Sequence, residues 1–262
     1  MTEIITGKDN PLIKRITKLM SSAKARREEG CFVCEGIRLC MDALYSGAEI
    51  LCFCCTEDAY NKYPEDAGRL EKAAKRSTLI SPALFSRISD TRTPQGFLCI
   101  AAVRENIPEI KKGGCYVGLE RIQDPSNLGT ILRTAEALGA QGVILTGDCC
   151  DIYSPKVVRG SMGAVFRLPV LIVDDFTEYI ADAGKNGIKT YASTPRDARS
   201  IAEADLSAGG IMLIGNEGNG LDDDTINACT MRVMIPMKGR AESLNASAAA
   251  SILMYELMKA QP

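Results

Sequence analysis

Apolar positions along the chain recur in two rhythms, one helical and one extended. In NPLIKRITKLMSSAKARRE, Leu12, Ile16, Leu19 and Met20 fall at helical spacing. CFVCEG reads as a strand, IRLCMDALYSG as a helix ended by Gly47, and ILCFCC as a second strand. DAGRLEKAAKR continues as a helix, STLI as a short strand and GFLCIAAV as a closing strand. These elements predict a small α/β domain over residues 1–104. The polar stretch ENIPEIKKGG (105–114) carries Pro108 and ends in two glycines, which predicts a linker.

From residue 115 to 262 the alternation is more regular. Strand CYVGLE precedes helix NLGTILRTAEALG, and strand GVILTG precedes a helix around SPKVVRGSMGA. LPVLIV, IKTYAS, IMLIGN and RVMIPM read as further strands. Between and after them stand the helices FTEYIADAGKNG, DDDTINAC and SLNASAAASILMYELMK. Near-continuous apolar strands separated by helices predict a parallel sheet covered on both faces.

Composition narrows the chemistry. No apolar run approaches the roughly 18 residues of a membrane span, and MTEIITGKDNPLIKR lacks an export pattern. The chain is expected in the cytoplasm, away from membranes. Its 11 cysteines, an odd number, argue against a disulfide framework and for buried reduced thiols. Cys31 and Cys34 have zinc-like spacing, but they read as part of an alternating strand, and no metal is expected. The sequence has no histidine, which removes Ser-His-Asp and Cys-His pairs and the usual general base.

Charge is uneven. Residues 1–104 hold 16 Lys and Arg against 13 Asp and Glu, while residues 105–262 hold 15 against 20. The excess near the N-terminus comes from Lys8, Lys14, Arg15, Lys18, Lys24, Arg26 and Arg27. This cluster is either one solvated helix face or a surface that contacts phosphates.

Ligands of open α/β sheets sit beyond the carboxyl ends of the strands, and three such ends are unusual. In ERIQDPSNLGTILRTAEALG, Asn127 is placed to cap a helix. Six residues on, Arg133 lies in a helix otherwise built to pack, where an arginine needs a partner, such as a buried ion pair. GNEGNGL (215–221) follows an apolar strand yet has neither the Gly-Lys-Ser/Thr of a P-loop nor an early G-x-G-x-x-G. Bare amides beside Glu217 suit a neutral or cationic ligand that needs close backbone approach. In IPMKGRAESLNASAAAS, Ser243 is a candidate N-cap, and Asn245 in the first turn is harder to explain by helix energetics. The small residues at 246–251 also let another backbone pass close by.

Together these segments resemble the SpoU (TrmH) family of RNA 2′-O-methyltransferases, of the SPOUT superfamily. DPSNLGTILRTAEALGA (124–140), LIGNEGNGL (213–221) and IPMKGRAESLNASAAASILMYE (235–256) carry the resemblance, with SPKVVRGSMGAVFRLPV (154–170) in support. Ser126 and Ala246 depart from the family's usual glycine and valine. CFVCEGIRLCMDAL and TRTPQGFLCIAA resemble, more weakly, a ribosomal-protein-like (L7Ae/L30e-like) RNA-binding domain.

The resemblance implies a trefoil-knotted parallel-sheet domain at 115–262, a substrate-binding domain at 1–104 and a homodimer. It implies S-adenosylmethionine held around Gly215, Ile235 and Leu244, with Thr194, Asn216, Gly218 and Met237 nearby. The reaction it implies is attack of a ribose 2′-hydroxyl on the methyl carbon. Arg133 would activate the hydroxyl, Asn127 would fix Arg133 or the ribose, Glu217 would order the loop, and Ser243 and Asn245 would line the pocket. Lys14, Arg15, Lys18, Arg26 and Arg27 would grip RNA, with 23S ribosomal RNA the expected substrate. Transfer RNA is the rival substrate, a non-catalytic RNA-binding protein on the same fold a rival function. A Rossmann oxidoreductase is disfavoured by the missing fingerprint.

Overall fold

The computed structural model describes residues 4–261 and divides into two compact units. One is the chain up to Glu105 with Asp151–Phe166; the other is Asn106–Cys150 with the chain from Arg167 on.

The first unit is built on strands β1 (Ile4–Ile5), β2 (Cys31–Glu35), β3 (Ile50–Cys55), β4 (Ser77–Ile80) and β5 (Phe97–Ala102), in the order β1-β4-β3-β5-β2. Strands β1, β4 and β3 run parallel, and β5 pairs antiparallel with both β3 and β2. The two-residue period of β3 sends Cys52 and Cys54 into one core layer and Phe53 and Cys55 into the other. Ile16, Leu19 and Phe85 cover the first layer, and Leu39, Leu70 and Phe97 belong to the second. Eight of the cysteines are buried and none is disulfide-bonded, so they act here as small apolar side chains.

The stretch NPLIKRITKLMSSAKARRE forms two helices rather than one, Pro11–Ser21 and Ala23–Glu29. Ser22 interrupts them because its hydroxyl accepts from Ala25 N at 3.2 Å and caps the second. Segment Asp151–Phe166 adds helix Pro155–Gly160 and packs Tyr153 and Phe166 on Phe32, with ring centroids 4.6 and 5.7 Å away. The two-residue β1 was not foreseen from the pattern.

The second unit holds a wholly parallel sheet of β6 (Cys115–Leu119), β7 (Val143–Thr146), β8 (Val170–Val173), β9 (Thr190–Ser193), β10 (Arg199–Ser200), β11 (Gly210–Ile214) and β12 (Met231–Met234). Their order is β10-β12-β9-β11-β6-β7-β8. Only β10 is unpredicted; at two residues it is too short to show a period. Central β6 and β11 are buried on both faces, and they align Leu213 with Gly118 and Ile214 with Leu119. Helices Pro125–Ala137 and Ala246–Lys259 pack against each other. Since the strands are parallel, the segments that follow β6, β9, β11 and β12 all leave the sheet at one edge.

Candidate active site

Three of those segments are joined by side-chain hydrogen bonds. After β6, Asp124 accepts from Ser126 N at 2.7 Å and caps helix Pro125–Ala137, with proline in its first turn. The cap is therefore Asp124. Asn127, expected there as one alternative, is instead buried at 5% exposure and turned to other partners.

The loop after β11 closes on itself. Asn216 and Gly220 exchange backbone bonds of 3.0 and 2.9 Å, and Asn216 Oδ1 accepts from the amides of Gly218 and Asn219 at 3.0 and 3.1 Å. Asn216 Nδ2 donates to the Arg121 carbonyl at 2.8 Å. A Cβ on Gly215 would lie 2.1 Å from the Gly220 carbonyl carbon, so glycine is required at that position. The loop thus presents Glu217 towards the β6 segment. Its carboxylate accepts from Gln123 N at 3.1 Å, Asp124 N at 3.0 Å and Asn127 Nδ2 at 3.0 Å. Burial alone would push this carboxyl up, but the Asn127 amide and the two backbone donors hold it below its ordinary value.

The relay continues. Asn127 Oδ1 accepts from Asn245 Nδ2 at 3.0 Å. Asn245 Oδ1 in turn accepts from Ser247 N at 2.9 Å and Ala248 N at 3.3 Å, capping the final helix. That helix runs Ala246–Lys259, so the N-cap is Asn245 and not Ser243, which is exposed in the preceding irregular segment.

Arg133 contradicts the buried-ion-pair expectation. It is exposed and pairs with none of the described residues. It shares one helix face with the exposed Ser126, Thr130 and Ala137, all small, so its guanidinium is unobstructed by larger neighbours on that face. Asn127 spends its amide on Glu217 and Asn245 and makes no bond to Arg133.

The remaining expected residues spread around the same edge. Thr194, just past β9, is buried and donates its amide to Val233 at 3.0 Å. Gly215 is buried, Asn216 and Ile235 are half-buried and Gly218 is exposed. Met237 and Leu244 stand 39% and 38% exposed in the irregular stretch after β12.

Two residues at this edge escaped the sequence reading. Glu120 is buried at 4% exposure and accepts from Asp222 N at 2.7 Å and Thr225 Oγ1 at 2.6 Å. Arg121 has left-handed backbone (φ 54) and pairs with Asp222. Both pin the glycine-rich loop to the end of β6. A charged pair directly after an apolar strand was the available signal.

In the first unit the basic cluster is partly spent. Lys14 pairs with Asp9 at 3.2 Å and Arg15 with Glu29 at 2.7 Å. Arg26 corrects the expected RNA contact: it is buried, pairs with Asp151 at 2.7 Å and donates to the carbonyls of Leu19 and Met20. Lys18 and Arg27 remain exposed without a partner among the described residues.

A parallel sheet with this knit of loops defines a class. The chain belongs to the SpoU rRNA methylase family, whose model matches residues 114–255; residues 10–99 match the MRM3-like substrate binding domain. It is 33% identical to the uncharacterized tRNA/rRNA methyltransferase slr1673 of Synechocystis, over 98% of this chain and 94% of that protein. It is 28% identical to the 23S rRNA (guanosine(2553)-2′-O)-methyltransferase RlmP of Bacillus subtilis, over 92% of this chain and 93% of that one. The crystal structure of an AdoMet-bound rRNA methyltransferase from Sinorhizobium meliloti superposes with a TM-score of 0.88 at 30% identity, covering 98% and 97% of the two chains. Among the described residues no helix is long and apolar enough to cross a membrane.

Proposed function

We propose that the protein is an S-adenosylmethionine-dependent methyltransferase that modifies a ribose 2′-hydroxyl of 23S ribosomal RNA. The single observation that carries this reading is the relay Glu217–Asn127–Asn245, which holds the family's three segments together while leaving Arg133 free.

The site suits the cofactor chemically. The side chains of Asn216 and Glu217 are committed to the protein's own amides, which leaves main-chain groups and the apolar Ile235, Met237 and Leu244 to meet a ligand. Residues 215–221 contain no lysine or arginine, as a sulfonium cation prefers. Gly215, Ile235 and Leu244 would hold the adenine, with Thr194, Asn216, Gly218 and Met237 around it and Ser243 at the rim. The bound cofactor supplies a methyl carbon made electrophilic by its positive sulfur.

Arg133 does the protein's share of the chemistry. A guanidinium carries a permanent positive charge, so Arg133 is no base. Its guanidinium grips a backbone phosphate of the substrate, placed to take the 2′-hydroxyl proton, and stabilises the negative charge that develops at the 2′-oxygen. Glu217, Asn127 and Asn245 are positioning residues. Residues 1–104 would bind substrate and 115–262 would carry the reaction, joined by 105–114, with Lys18 and Arg27 adding long-range attraction for RNA.

Two further elements belong to the reading. The small residues at 246–251 suit a chain threaded as a trefoil knot. Ala248, Ile252 and Tyr255 form an exposed, mostly apolar stripe on the final helix, which suits a homodimer interface. Free thiols throughout suit the reducing cytoplasm. The test is transfer of labelled methyl groups from S-adenosylmethionine to 23S rRNA transcribed in vitro; incorporation by the wild type and none by Arg133→Ala is expected. Equal incorporation by both would remove the catalytic role from Arg133.

A further inference from the structure

The two stretches of the first unit that resemble an RNA-binding domain converge on one cavity of about 290 Å³. Glu35 and Arg38 come from the first stretch, Thr93 and Gln95 from the second, and Arg159 and Met162 complete the lining. The cavity is braced internally. The Glu35 carboxylate accepts from Ser89 Oγ, from Asp90 N at 2.9 Å and from Thr91 Oγ1 at 2.6 Å, so the acid is spent on holding the loop. Gln95 Oε1 accepts from Ile37 N at 3.1 Å, serving a helix end whose N-cap, Gly36, has no side chain to offer.

Other groups are unspent. Arg159 pairs with Asp90 through Nη2 at 2.8 Å, while its Nη1 is buried with no hydrogen-bond partner. Buried donors in folded proteins are rarely left so, and this one calls for an acceptor. Gln95 keeps its amide donors, and Asp42 keeps a carboxylate without a partner among the described residues. Arg38, Asp42 and Tyr45 line one face of helix Ile37–Tyr45. Tyr45 is 67% exposed, and its hydroxyl is held by Arg69 at 2.9 Å.

We infer that this cavity receives one unstacked RNA base, with Arg38 on the adjoining phosphate and Tyr45 as a stacking platform for the next base. A base edge needs donors and an acceptor together, which Gln95 Nε2 and Asp42 supply beside the Arg159 side chain, while Leu39 and Met162 give apolar lining. The size lies at the lower end of ligand pockets, near 300 Å³, the scale of one base rather than an extended cofactor. Exposed aromatics and arginines along a groove are how single strands are held. The inference rests on the RNA reading above and makes it specific. The N-terminal helices are the weaker alternative, since Lys14, Arg15 and Arg26 are already paired.

The test measures affinity of the full chain for 23S rRNA transcribed in vitro, at fixed salt, without cofactor. Arg38→Glu and Arg159→Lys, which can keep the Asp90 pair, should each weaken binding at least tenfold with an unchanged melting temperature. Wild-type affinity in both folded variants overturns the inference. Photo-crosslinking of the wild type to RNA containing 4-thiouridine decides the matter if a variant does not fold. Crosslinks at Leu39, Gln95 or Met162 support the cavity, and crosslinks confined elsewhere overturn it. Methylation by the wild type is scored separately, so failure of the enzymatic reading and failure of the cavity give different results.

Discussion

Asn245 Nδ2 donates to Asn127 Oδ1 at 3.0 Å, joining residues 118 positions apart in the chain. Asn127 passes the connection on to Glu217, so one buried amide ties the helix after β6 to both of the other segments. Neither helix needs this bond: Asp124 caps one and Asn245 the other. The bond therefore serves the loops between them.

Asn127→Ala should destabilise the protein by about 1–3 kcal/mol, the cost of leaving buried polar partners unmet. Cofactor affinity should fall with it, because the loop at 215–221 loses one of its tethers and its link through Asn127 to Asn245. Chemical denaturation and calorimetric titration with S-adenosylmethionine measure the two effects; an unchanged affinity would separate the relay from the pocket.

Arg133→Ala should behave in the opposite way. The side chain is exposed and pairs with none of the described residues, so the melting temperature should hold, as should cofactor affinity. Turnover should drop at least about 100-fold, the scale of removing one transition-state donor. Arg133→Lys should recover little, because a lysine cannot present the planar fork. A lysine variant at wild-type rate would show that charge alone suffices.

Glu217 makes a pH prediction. Its folded carboxyl titrates below the unfolded value of about 4.3, so the charged form favours the folded state. The stabilisation is fully present above that unfolded value and is lost as pH falls through the lower folded one. Glu217→Gln should therefore melt below the wild type at neutral pH, with the gap closing in acid. A gap that stays constant down to the acid limit would contradict the assignment.

Arg26→Ala should damage folding rather than RNA binding. Breaking a buried ion pair while leaving Asp151 behind costs about 3–5 kcal/mol. Whatever protein remains folded should bind 23S rRNA with near wild-type affinity. A selective loss of RNA affinity at normal stability would return Arg26 to the interface.

Much of this was legible in the sequence because parallel strands announce themselves as apolar runs, and β6, β7, β9 and β11 fall where CYVGLE, GVILTG, IKTYAS and IMLIGN read. The three site segments were legible because their residue types do not suit simple packing. Side-chain direction was not. Arg133 and Arg26 sit in similar helical contexts, yet one faces out and the other in, and only the tertiary position of Asp151 decides the second. Helix starts were also misjudged, since Ser243 and Asn245 are both good caps and the choice falls to the one that reaches Asn127. The braced cavity around Arg159 was invisible for the same reason: segment 151–166 packs with the first unit although some 45 residues of sequence separate it from the rest of that unit.

The most direct test of the account is where the methyl group lands. 23S rRNA treated with the protein and S-adenosylmethionine should be digested to nucleosides and analysed by mass spectrometry. The account predicts one new nucleoside whose added mass resides on the ribose, and no such product from Arg133→Ala. A methyl group found on a base would contradict it.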